Sequence, residues 1–274
     1  MPLNVPGILV PFQLLLYPRL VIPALVVNDI RQVDFLALKR AGYRGAVFDK
    51  DNCLTLPHRD TLVPELQESW KSCRETFGEG NVLIVSNSAG TYLDAGGIQS
   101  ESVAYHLGVP VLSHKSLKPA YSCITAIRTY FSSLRFPIHD HQLIVVGDRV
   151  FTDIVLGNRM RMQANRHQTL PGVPLSSNAD KTASIMEEEA NGGTANTPNA
   201  AGGPLSILTT GVWQKESMTM RWLELRLVHA VERFSKPLVG EPMDVSSFVN
   251  EVVKPVSPPK RGVLGYLVSR FTRA

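Results

Sequence analysis

The stretch "GAVFDKDNCLTLPHRD", residues 45–60, runs four small or apolar residues into Asp49 and places Asp51 two positions later. An apolar run of this length that ends abruptly in polar residues reads as a buried strand. Side chains alternate along extended backbone, so Asp49 and Asp51 are expected on the same side of the strand's end. Two such carboxylates repel each other. The pairing is tolerable where a cation sits beside them, or where the two acids divide the work of nucleophile and general acid.

Further short apolar runs recur on the C-terminal side: "VLIVS" (82–86), "VPVL" (109–112), "LIVVGD" (143–148) and "SILTT" (206–210). Helix-like stretches, such as 63–76 and 119–133, lie between most of them. Buried strands alternating with helices predict an α/β fold, a Rossmann-like doubly wound parallel sheet covered on both faces. Ligands of such sheets bind outside the carboxyl ends of the strands. There is no internal repeat.

The flanks differ from this core. Between Met1 and Val27 the only side chain charged at neutral pH is Arg19, while Pro11, Pro18 and Pro23 divide the segment into pieces too short to span a bilayer as one helix. Residues 1–40 therefore read as an apolar segment that contacts a membrane surface or another subunit, with packing on the core as the plainer possibility. Neither a basic secretory leader nor an Arg-rich transit peptide is seen. The core is expected over 41–162 and 205–216. Residues 163–204, rich in Gly, Asn and Ala, read as a disordered insertion. Over 217–274 an amphipathic helix is expected, with Met220, Leu223, Leu227, Val231 and Phe234 on its apolar face. A Pro-rich linker near 254–260 and a basic tail follow it. The net charge of +4 and pI of about 9.0 fit nucleic acid or an anionic membrane equally. Three cysteines without paired spacing, Cys53, Cys73 and Cys123, argue against a disulfide scaffold or a zinc site.

Four polar clusters fall at expected strand ends: Asp49 with Asp51; Ser86 with Asn87 in "VSNSAG"; Lys118 in "KSLKPA", with Pro119 in the first turn of a helix; and Asp148 with Asp153 in "VVGDRVFTDI". Each alone is a weak signal, since a strand-end Asp is often a cap and Ser-Asn often a turn. In this order the set resembles the haloacid dehalogenase superfamily of phosphohydrolases, subfamily IIIA. Asp-x-Asp is matched by Asp49 and Asp51, the strand-end Ser by Ser86, the Lys by Lys118, and Gly-Asp with a further Asp by Gly147, Asp148 and Asp153. More narrowly, "DKDNCLTLPH", "LIVSNSAG", "GVPVL" and "VVGDRVFTDI" resemble the mitochondrial phosphatidylglycerophosphatases of fungi. One departure is Cys53, where many members of the superfamily have Thr.

The resemblance implies an aspartyl-phosphate mechanism with Asp49 as nucleophile and Asp51 as general acid and base. It also implies Mg2+ as cofactor, held by Asp49, the Asp51 carbonyl and Asp148, with Asp153 holding a metal-bound water or orienting Lys118. Ser86, the amides near Asn87, and Lys118 would bind the phosphate oxygens. The intervals from Thr55 to Ser86 and from Asn87 to Lys118 are taken up by the strand and helix the sheet needs, so no cap domain is expected. The resemblance implies phosphatidylglycerophosphate as substrate, at an anionic membrane surface on the matrix side of the mitochondrial inner membrane, and an open site suits such a large, surface-bound molecule. It also favours a homo-oligomer, whose subunit contacts can wall the site. Nucleic acid is not an expected partner. A soluble phosphatase acting on a sugar phosphate or phosphoprotein, and a non-catalytic assembly protein on the same fold, are the other readings.

Overall fold

The computed structural model describes residues 7, 9–168, 203–215, 218–234 and 245–250. Most of the expected insertion and the basic tail lie outside the described residues. At the insertion's start, residues 163–168 continue a helix.

The chain forms an α/β fold around a five-stranded, wholly parallel sheet in the order β1-β5-β4-β2-β3. The strands are β1 (Leu25–Val27), β2 (Gly45–Phe48), β3 (Val82–Ile84), β4 (Leu143–Gly147) and β5 (Leu205–Thr209). The helices are α1 (Val10–Leu14), α2 (Phe35–Arg40), α3 (Gln67–Phe77), α4 (Ile98–Leu107), α5 (Tyr121–Ser132), α6 (Val155–Gln168) and α7 (Met218–Phe234).

The two-residue alternation of strand side chains divides the core between two faces. Ala46, Phe48, Ile144 and Val146 point to one side, where α2, α3 and α4 deliver Phe35, Leu38, Trp70, Cys73, Phe77, Val103 and Leu107. Val47, Leu83 and Val145 point to the other, against Ile124, Ile127 and Phe131 of α5 and Leu156 and Met160 of α6. Each Val, Leu, Ile, Phe or Met among them, fully buried, contributes about 1.5–3 kcal/mol of transfer free energy. This two-sided burial explains why β2 and β4 read as unbroken apolar runs. Residues 49–118 hold α3, β3, α4, two short 3-10 helices (Pro64–Leu66 and Ala95–Gly97) and turns, with no inserted domain.

Three expectations are corrected. Residues 109–112 are not a strand: Val111 makes one isolated bridge to Ile84, and the ladder stops beside Pro110, which has no N–H to give. Part of the N-terminal segment, Leu25–Val27, is instead the edge strand beside β5. Upstream of it, Val10, Leu14, Leu20 and Val21 pack in a third cluster with Val155, Leu208 and Val228. Finally, α7 docks on a face shifted by one residue from the amphipathic expectation. Its buried residues are Arg221, Glu224 and Val228, whereas Met220, Leu223 and Phe234 are exposed and Leu227 and Val231 only partly covered. The charged side of α7 faces the protein because it meets opposite charges at the end of β4.

Candidate active site

β2 and β4 are neighbours in register, with Phe48 opposite Val146. Their carboxyl ends therefore place Asp49 and Asp148 side by side, and the Asp49 amide donates to the Val146 carbonyl at 2.9 Å. After β4 a π-turn, Val150–Ile154, folds Asp153 back toward the strand end. There its Oδ2 accepts from the Arg149 amide at 3.1 Å. Gly147 makes this return possible: a Cβ at that position would lie 2.3 Å from Asp153 Cγ.

Lys118 closes the group. Its Nζ donates to Asp49 Oδ1 and to Asp153 Oδ1, both at 2.7 Å, and the side chain is buried. Burial works against the ammonium, but the charges of Asp153 and Asp49 outweigh it and hold the Lys118 pKa well above its usual value. The acids pay for their crowding. Burial, reinforced by Asp49 and Asp153 and opposed by Arg221 and Arg149, pushes Asp148 up to about 8. Burial also pushes Asp153 up to about 6, against the pull of Lys118. Asp49, Asp148 and Asp153 each offer a carboxylate oxygen within 4.8 Å of the others. An all-oxygen set of three acids, with Asp148 and Asp153 raised by their burial and crowding, fits a hard divalent cation, which would supply the missing positive charge.

Asp51 does not join this carboxylate group. The chain turns after Asp49, with the Lys50 carbonyl accepting from the Leu54 and Thr55 amides, so the extended alternation expected from the sequence is not continued. Instead Asp51 Oδ1 lies 2.8 Å from the fully buried Lys50 Nζ and 3.0 Å from the His58 amide, and Oδ2 accepts from Ser88 Oγ at 3.4 Å. One third of the side chain is exposed. Cys53, next in the loop, is buried, and burial, followed by the nearby Asp49, raises its thiol pKa well above the ordinary value.

Ser86 is buried at the end of β3, and its Oγ accepts from the Ser88 amide at 3.1 Å. The Asn87 side chain is spent on the backbone of Lys118: Oδ1 accepts from the Lys118 amide at 2.6 Å and Nδ2 donates to its carbonyl at 3.4 Å. The Lys118–Pro119 peptide is cis, and α5 begins only at Tyr121, so Pro119 precedes the helix rather than opening it. His114 lies between the carbonyls of Ser86 and Ser116, at 3.0 and 2.6 Å, tying the β3 end to the lysine loop. Burial lowers its pKa.

A model of the mitochondrial PGP phosphatase family matches residues 5–165. The chain belongs to this family. A chloroplastic phosphatidylglycerophosphate phosphatase 1 from Chlamydomonas reinhardtii is 43% identical over 52% of this chain and 51% of its own length. The mitochondrial phosphatidylglycerophosphatase of Saccharomyces cerevisiae is 34% identical over 58% of this chain and 83% of its own. A probable mitochondrial phosphatidylglycerophosphatase of Schizosaccharomyces pombe is 33% identical, over 58% and 80%. The chain spans about half the length of the algal and plant relatives it matches. No solved structure matches it.

The mitochondrial PGP phosphatase match stops short of β5 and α7, yet Arg221 of α7 donates to Asp148 Oδ2 at 2.7 Å. Sequence reasoning missed this residue, since only its helical spacing from the apolar positions was visible. It also missed Ser88 and Lys50, which stand inside stretches already singled out, "VSNSAG" and "DKDNC".

Proposed function

We propose that this chain is a magnesium-dependent phosphatidylglycerophosphatase, which hydrolyses phosphatidylglycerophosphate to phosphatidylglycerol and phosphate. The carrying observation is the Asp49–Lys118–Asp153 contact beside Asp148 at the sheet's carboxyl edge, in a member of the mitochondrial PGP phosphatase family. The names of its relatives support the substrate.

In this reading an Asp49 oxygen attacks phosphorus, and the bond from phosphorus to the glycerol oxygen breaks. Asp51 gives its proton to that oxygen. A water then attacks the aspartyl-phosphate, gives a proton to Asp51, and releases orthophosphate with Asp49 regenerated. Lys118 and the Ser86 region receive the phosphate oxygens, where charge spreads in the transition state. We assign Mg2+ to Asp49, the Asp51 carbonyl and Asp148, with Asp153 outside them. Bound there it offsets the charge of the phosphate oxygens.

Among the described residues no cap covers the site, which suits a headgroup presented at a surface. We place the protein against the anionic inner membrane on the matrix side of mitochondria, as a homo-oligomer. Support comes from the mitochondrial relatives in two fungi and from the exposed apolar side chains of α1 and α7. Among the described residues no helix is long and apolar enough to cross a membrane. Phosphate release from vesicles containing phosphatidylglycerophosphate, compared with p-nitrophenyl phosphate and with and without EDTA, tests the reading. A large lipid preference in kcat/KM and abolition by EDTA are expected. Equal use of both substrates would support a soluble phosphatase instead.

A further inference from the structure

Helix α7 reaches the candidate site from beyond the part of the chain that carries the family match. Arg221 Nη1 donates to Asp148 Oδ2 at 2.7 Å, while Nη2 donates to the Thr209 carbonyl at the end of β5, at 2.9 Å. One turn later the buried Glu224 accepts from the Val150 amide at 3.1 Å and from Arg149 Nη2 at 3.1 Å. The segment Asp148-Arg149-Val150 is thus held by α7 through its side chains and its backbone. A guanidinium is a rigid planar fork. With one branch fixed on the β5 carbonyl, the other sets where Asp148 Oδ2 can lie and leaves the second carboxylate oxygen to the acidic cluster.

We propose that Arg221 is a positioning residue, which orients the Asp148 carboxylate for a divalent cation, and that Glu224 fixes the loop on which Asp148 sits. This rests on the reading of the site as a metal-dependent phosphatase. Two effects of Arg221 oppose each other. Its charge repels a cation, whereas its fork removes the freedom of a ligand that the cation would otherwise have to order. Partners that orient metal ligands commonly change affinity by about 10- to 100-fold when removed. The Arg221 charge is already matched by Asp148 across 2.7 Å, so orientation outweighs repulsion.

The test is a Mn2+ titration of the full chain followed by electron paramagnetic resonance, on wild type, Arg221→Met and Arg221→Lys, with thermal melting of each. Arg221→Met is expected to bind Mn2+ at least about tenfold more weakly. On p-nitrophenyl phosphate, kcat at limiting metal should fall while KM changes little. Arg221→Lys keeps the charge but cannot bridge both acceptors as a fork, so it should bind with intermediate affinity. Unchanged or tighter binding by Arg221→Met would overturn the proposal. If that variant fails to fold, wild-type affinity in a folded Arg221→Lys would overturn it as well. Wild type that bound no Mn2+ would sink the metal reading and the proposal together, whereas normal wild-type binding with unaltered variants would sink the proposal alone.

Discussion

The carboxyl group of Asp153 occupies the space beside Gly147 where any other residue would begin its side chain, 2.3 Å from the ideal Cβ position. The Gly-Asp pair at the end of β4 is therefore a packing requirement of the site. Gly147→Ala must push Asp153 away from Lys118 or bend the strand end, and such overpacking costs about 1–3 kcal/mol. Melting temperature should fall by several degrees, and turnover should fall much further, because Lys118 loses one of its two anchors. An alanine variant with wild-type turnover would show that the Asp153–Lys118 contact is dispensable.

In the proposed mechanism, substitutions at Asp49 and Lys118 are expected to separate catalysis from stability. Asp49→Asn relieves repulsion with Asp148 and leaves Lys118 paired with Asp153, so it should fold and melt close to wild type. Its turnover should drop by about three orders of magnitude or more, as is common for essential single residues. Lys118→Met instead leaves buried carboxylates without their counter-charge, a change that costs about 3–5 kcal/mol when one partner of a buried pair is lost. Circular dichroism melts with single-turnover assays check both. Retention of a tenth of activity in purified Asp49→Asn would exclude covalent catalysis at this residue.

The raised acids predict how pH acts on stability. Asp148 is pushed up to about 8 and Asp153 to about 6, from ordinary carboxylate values near 4. Across that window the folded chain holds protons that the unfolded chain has lost, so stability falls as pH rises from about 4 through about 8. A divalent cation reverses this by favouring the ionised forms. In EDTA the wild type should lose more melting temperature between pH 6 and pH 8 than Asp148→Asn does. Added Mg2+ should stabilise the wild type more at pH 8 than at pH 6. Equal pH dependence of the two proteins by scanning calorimetry would contradict the assignment.

Most of the fold was legible because β2, β3, β4 and β5 are buried on both faces and so appear as apolar runs ending in polar residues. The acids and Lys118 were legible for the same reason: they stand where those runs stop. β1 was not, since three residues inside a continuous apolar arm carry no boundary of their own. Asp51 was placed by assuming that the strand continues through Lys50, whereas the buried Lys50 turns the chain and takes Asp51 with it. Arg221 and Glu224 were hidden by a pattern that held in sequence but not in space. Helical spacing finds the apolar stripe of α7, and it cannot say that two ion pairs at the end of β4 will decide which face docks.

That rotated helix yields the last prediction. With Arg221 and Glu224 turned inward, α7 shows Trp222 and Leu223 to solvent, and the Arg226 guanidinium lies 5.0 Å from the centre of the Trp222 ring. On α1 and the residues just after it, Phe12, Leu15 and Leu16 are 67%, 83% and 77% exposed, although Val10 and Leu14 hold the segment onto the same third cluster as α7. Each exposed set therefore makes an apolar patch on a segment anchored to that cluster. Tryptophan beside a cation, next to unpaired leucines, suits the boundary between lipid headgroups and acyl chains. Burying one such side chain contributes about 1.5–3 kcal/mol, which corresponds to roughly ten- to hundredfold in affinity. Leu16→Glu and Trp222→Glu should each weaken co-sedimentation with anionic vesicles by at least tenfold while sparing hydrolysis of p-nitrophenyl phosphate. Wild-type binding should weaken as salt screens the basic residues. If vesicle binding persisted while sedimentation velocity showed an oligomer falling to monomers, the patches would be subunit contacts and the membrane would be met elsewhere.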